Sequence, residues 1–132
     1  MKWDLGDENA ALIREFDRAG YHCTILQICG RHLCGYVDIP RGNALFGRYY
    51  DDEPLCEISV HGGLTYADGT GDVWTLGFDC AHSGDADKPE GDEWGNVYRD
   101  ADYVERELRS LADQIAAIDH PSVEFKSVRT LK

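Results

Sequence analysis

The chain has 132 residues with 25 acidic and 13 basic side chains, a formal charge of -12, and 42% hydrophobic against 29% charged residues. This is the composition of one globular domain over residues 1–132, long enough to bury a core without staples, and it excludes a disordered chain. The charge is uneven, with 18 acids and four bases in residues 51–119 against six of each in residues 1–50 and a net of +2 in residues 120–132. Such a field repels phosphate backbones, so direct nucleic-acid binding is not expected; a solvated surface, a cation site or a partner with a basic surface is.

No apolar run approaches the ~20 residues that cross a bilayer. The opening MKWDLGDENA lacks an apolar h-region, so no secretory leader is expected. Cysteines 23, 29, 34, 56 and 80 are odd in number, which suits reduced thiols in a cytoplasmic protein.

In chain order, Asp7 is placed to cap a helix over about 8–19, with Leu12, Ile13, Phe16 and Ala19 on one stripe and Gly20 ending it. YHCTILQIC and HLCGYVDI then flank Gly30-Arg31, the Gly-X chemistry of a two-residue hairpin. That register pairs Ile28 with Leu33, Leu26 with Gly35 and Thr24 with Val37, and sets Gln27 against Cys34. Residues 40–54 read as an ordered loop anchored by Leu45, Phe46, Tyr49 and Tyr50.

Alternation predicts a third strand over about 55–61, with Cys56, Ile58 and Val60 inward and His61 outward. A return strand runs from Val73 to Asp79. If DGTGD is a five-residue loop, Tyr66 faces Trp74, Leu64 faces Leu76, Val60 faces Cys80 and His61 faces Asp79. Residues 81–99 form an acidic loop. A last helix, about 101–118, starts at Asp100 or Asp102, buries Val104, Leu108, Leu111, Ala112 and Ile115, and stops at His120-Pro121. The expected fold is α+β: about four antiparallel strands in two hairpins, packed against an N-terminal and a C-terminal helix.

The blocks GYVDIPRG, YYDD, VHGGLTY and GFDCAHSGD, in that order, resemble a family of small uncharacterised proteins from bacteriophages, prophages and their bacterial hosts. The resemblance covers roughly residues 33–85 and, by pattern, the terminal helix. It brings no established activity. It implies a phage-type accessory protein in the host cytoplasm and, by context, a counter-defence role.

Within that segment, His61, Asp79, His82 and Asp85 are imidazole and carboxylate groups of the kind that hold a divalent transition metal for hydrolysis. The plainer reading makes His61 and Asp79 a cross-strand pair and Asp85 a loop cap, since no standard ligand spacing is present. Gly62-Gly63 could bring backbone N–H groups to a phosphate, with Tyr66 beside them, as in a binder of a nucleotide immune signal; the charge opposes it.

Cys80 with His82 or His61 suggests a nucleophile and its base, but acidic surroundings and an inward register favour an inert core thiol. Cys29, His32 and Cys34 lack a fourth zinc ligand. DADKPEGDE is close to a calcium loop, yet Pro89 stands at its fifth position, so a solvated acidic loop is the stronger reading. Tyr49, Tyr50, Tyr66, Trp74, Trp94 and Tyr98 are either core under loops or exposed anchors.

The expected function is a non-enzymatic, acidic binding protein that engages a basic host protein through Asp85, Asp87, Asp92, Glu93 and Trp94, in the manner of a nucleic-acid mimic or an anti-CRISPR protein. The alternatives are the metal-dependent hydrolase and the nucleotide-signal binder.

Overall fold

The computed structural model describes residues 9–119. Five antiparallel strands form one sheet in the order β1-β2-β3-β5-β4: β1 Ala10–Arg18, β2 Tyr21–Ile28, β3 Leu33–Pro40, β4 Tyr66–Thr70 and β5 Val73–Asp79. One helix, α1 Ala101–Asp119, packs on one face, and no described helix is long and apolar enough to cross a membrane. The α+β class holds, with five strands where about four were expected and a strand in place of the N-terminal helix.

The first correction has a local cause. Leu12 pairs with Leu26 and Arg14 with Ile25, so Ile13 is an unopposed bulge residue. After the bulge, Phe16 packs toward the core while Glu15 and Asp17 point outward to His22. The extra residue breaks the alternation and leaves Leu12, Ile13 and Phe16 at a spacing that imitates a helical stripe. Gly20 closes a hairpin instead of capping a helix: Ala19 and Gly20 lie at φ 56° and 88° between the paired Arg18 and Tyr21. The expected Asp7 cap and the His120-Pro121 stop lie outside the described residues.

The second hairpin is shifted by one residue. Its turn is centred on Cys29 and Gly30, both at positive φ, with the Arg31 amide bonded to the Ile28 carbonyl at 2.8 Å. The Ile28 amide bonds to the His32 carbonyl at 3.0 Å, so two residues oppose one before Gln27 pairs with Leu33. Cys34 therefore faces Leu26, and Tyr36 faces Thr24. A one-residue slip exchanges faces: Cys23, Ile25, Leu33 and Val37 lie in the core beneath the helix, whereas Leu26, Cys34 and Tyr36 form a smaller cluster on the other side.

The β4–β5 turn is also tighter than expected. Thr70 pairs with Val73 across Gly71-Asp72, so Tyr66 faces Gly77 and Ala67 faces Leu76. Tyr36 lies over Gly77, where an added Cβ would come within 2.5 Å of its ring, and meets Tyr66 edge-on at 5.4 Å. The predicted strand at 55–61 is absent. Leu55–Glu57 make a single 3₁₀ turn with Cys56 exposed, and the chain then runs extended along α1. Its polar groups are met by helix side chains: the Ser59 and His61 amides donate to Gln114 Oε1 (3.0 Å) and Glu107 Oε1 (2.8 Å), and Gln114 donates to the Ser59 carbonyl. Alternation without a neighbouring strand makes no ladder.

α1 buries Val104, Leu108, Leu111, Ala112 and Ile115, the stripe read from sequence. Asp100 caps it, accepting the Tyr103 amide at 2.9 Å. Arg14 reaches Asp102 and Glu105, and Arg18 reaches Asp113, tying β1 to the helix. In the 40–54 loop, Leu45 is buried and Phe46 packs against Trp74, whereas Tyr49 and Tyr50 remain exposed.

Candidate functional site

His61, Asp79, His82 and Asp85 gather at one end of the sheet, but in exchanged pairs. His61 sits in a turn from Val60 to Gly63, closed by the Gly63 amide on the Val60 carbonyl at 2.8 Å. Gly62, at φ 69°, supplies the left-handed residue this turn needs. A Cβ there would also lie 2.3 Å from the His82 ring. The glycine pair is thus explained by a turn and a close ring contact, and the Gly63 N–H is already used within the chain.

The partner of His61 is Asp85, not Asp79. His61 Nε2 lies 2.8 Å from Asp85 Oδ2, and Nδ1 lies 2.8 Å from the Tyr103 hydroxyl. Asp85 also accepts Arg99 Nε at 2.8 Å and the His82 amide at 3.0 Å. Its side chain is 1% exposed. Burial by itself would raise the Asp85 pKa; the hydrogen bonds from Arg99, His61 and the His82 amide outweigh it and hold the carboxyl below its ordinary value. Arg99 in turn lies over the Tyr103 ring, 5.2 Å from its centroid.

Asp79, at the end of β5, accepts the Thr65 hydroxyl (2.9 Å) and the Ala81 amide (3.1 Å). His82 Nε2 is 3.1 Å from Asp79 Oδ1 but out of line for a hydrogen bond, and that buried nitrogen has no hydrogen-bond partner. The His61 and His82 rings are 6.0 Å apart, edge to face. Among the described residues no group of three or more His, Cys, Asp or Glu side chains is arranged to hold a metal ion, and that includes Cys29, His32 and Cys34. Asp85 already receives a guanidinium, an imidazole and an amide, the full set of contacts a buried carboxylate needs. Cys80 is buried, and burial, reinforced by Asp85, pushes its thiol up to about 12, far from the range of a nucleophile.

The cluster acts as a clamp. It fixes the 58–63 segment and the 81–99 loop to the start of α1, and the loop closes above it. The Ala86 amide bonds to the Val97 carbonyl at 2.8 Å and the Val97 amide to the Gly84 carbonyl at 3.0 Å, making a neck. Further out, Arg31 Nη1 holds Asp87 at 3.0 Å, and Tyr98 donates to the Arg31 carbonyl at 2.7 Å. Asp92 accepts the Trp94 and Asn96 amides and the Asn96 side chain, which sets the tip turn.

On this frame Trp94 is 77% exposed, the most exposed large hydrophobic side chain among the described residues. It walls a cleft of about 490 Å³ whose lining, among the described residues, includes Asp87, Glu90, Asp92 and Glu93 against the cation Lys88. The loop that resembles a calcium site thus forms an acidic rim around an indole.

Of the expected partner-binding residues, Asp87, Asp92, Glu93 and Trp94 share this rim, while Asp85 is buried in the clamp below. Of the ligand-binding set, Tyr66 lies away on the sheet face opposite the helix. Arg99, Tyr103, Glu107 and Glu90 were not singled out in the sequence. Arg99 carried a usable signal, being one of four bases among 18 acids in residues 51–119. Comparison with family models, curated proteins and solved structures finds no match.

Proposed function

We propose that this chain is a non-enzymatic binding protein that engages a basic protein surface through the 86–97 loop, with Trp94 as the anchor. The observation that carries this reading is an indole 77% exposed inside an acidic cleft, on a loop whose backbone is already fixed. A large aromatic ringed by polar groups is the usual anatomy of a binding hot spot, and a pre-ordered loop loses less entropy on docking. The acidic field steers a basic partner toward the rim.

The resemblance to phage-borne proteins adds a setting: a host protein in the bacterial cytoplasm, bound in counter-defence as a nucleic-acid mimic or an anti-CRISPR protein would bind it. The hydrolase and nucleotide-signal readings gain no support from the clamp, where Asp85 is occupied by Arg99 and the Gly63 amide by Val60.

The test is capture of host proteins on immobilised wild-type chain and on Trp94→Ala, followed by binding kinetics at several salt concentrations. A basic protein held by wild type should be lost from Trp94→Ala mainly through a faster off-rate, and salt should slow its association. Equal capture by both forms, or an on-rate indifferent to salt, would overturn the reading.

A further inference from the structure

We propose that the Trp94 cleft is a receptor for a single arginine side chain of the partner. This deepens the reading above and rests on it. Not all of the acids around Trp94 are available to a ligand. Asp87 is tied to Arg31, and Asp92 is spent on the amides of Trp94 and Asn96. Glu90 and Glu93, which also line the cleft, make no ion pair among the described residues. Among the described residues the cleft therefore offers an exposed indole and two carboxylates outside any ion pair against one ammonium, that of Lys88.

That combination selects a flat, delocalised cation. A guanidinium stacks on an indole through its whole plane while its edge N–H groups bond carboxylates in pairs. A lysine ammonium is a compact, strongly hydrated charge that gains less from the ring. A methylated ammonium is served by a cage of several aromatic rings, and Trp94 is the only aromatic side chain among the described residues that line the cleft. Phosphate is excluded by the surrounding charge. The exposure of Trp94, otherwise an unfavourable placement for an indole, becomes the feature that fits the ligand.

The probes are acetylated, amidated Gly-Arg-Gly-Arg-Gly and its lysine and citrulline counterparts, titrated at low ionic strength while the Trp94 indole N–H resonance is followed, assigned by its absence in Trp94→Phe. The arginine peptide should shift this resonance and bind about three-fold tighter than the lysine peptide, the size expected of an exposed cation–π contact. Citrulline, flat but neutral, should not bind. Trp94→Ala, followed through the Gly95 amide, should reduce arginine binding to the lysine level. Glu90→Gln with Glu93→Gln should weaken both peptides.

Equal binding of arginine and lysine, unchanged by Trp94→Ala but lost with the glutamine variants, would overturn the arginine receptor and leave the basic-partner reading standing. No response of the loop to either cationic peptide would overturn both.

Discussion

Replacing Asp85 by asparagine removes the charge at the centre of the clamp while keeping the side-chain shape. Three donors reach this carboxylate: Arg99 Nε and His61 Nε2 at 2.8 Å and the His82 amide at 3.0 Å. Each charge-assisted bond contributes roughly 1.5–3 kcal/mol net, and such contributions in one network do not add. An asparagine carbonyl can keep part of this set, but its NH₂ must face a donor. Arg99 is 26% exposed and regains some hydration, so the loss falls near the lower end for a broken buried pair, about 3 kcal/mol. For a chain of this size that corresponds to a melting temperature roughly 10 °C lower. Thermal unfolding followed by circular dichroism measures it. Asp79→Asn is the control, because Asp79 is 31% exposed and holds only a hydroxyl and one amide; about 1 kcal/mol is expected there. A loss at Asp85 no larger than at Asp79 would refute the clamp.

Acid should act through the same residue. Because the folded pKa of Asp85 is lowered, its contribution is present above the ordinary carboxylate range and is lost as pH falls through the folded value. Urea midpoints of wild type and Asp85→Asn should converge as pH falls below the ordinary carboxylate value of ~3.9; a constant gap would contradict this. With a disulfide-exchange reagent, Cys29 and Cys56 should react in the native state, while Cys23, Cys34 and Cys80 should wait for unfolding, being buried with thiols raised to about 12, 11 and 12. Rapid reaction of Cys80 would reopen the nucleophile reading. Zinc or manganese should leave the melting temperature unchanged, since His61 and Asp85 are committed to each other and to Tyr103 and Arg99. A stabilisation abolished by His61→Ala and by Asp79→Ala would restore the metal site.

The helix was legible because 3.6-residue periodicity, an aspartate cap and a continuous apolar stripe agree over its whole length. The strands were less so, each for a physical reason. One bulge residue, Ile13, converts a strand pattern into an apparent helical stripe. An alternating Cys56, Ile58 and Val60 imitates a strand, although the chain there is held by Glu107 and Gln114 from the helix, partners that local pattern cannot reveal. The two hairpin registers turned on where a bulge or a tight glycine turn fell, and a small displacement re-pairs every residue beyond it.

The same holds for the site. The sequence brought His61, Asp79, His82 and Asp85 to one neighbourhood, but His61 lies in a turn outside the sheet and meets Asp85, while the shifted β4–β5 register leaves Asp79 to Thr65. Arg99 and Tyr103, which turn the cluster into a closed network, come from the far end of the loop and the first turn of α1.

The proposed partner surface is the 86–97 loop, not the clamp or the open sheet face. Amide hydrogen exchange of the whole chain, with and without the arginine peptide, distinguishes the three. The expected result is added protection confined to residues 87–96, with the Ala86 and Val97 neck amides already slow in the free protein because both are bonded across the loop. Protection centred on Tyr36 and Tyr66, or on the turn at His61, with the loop unchanged, would contradict it.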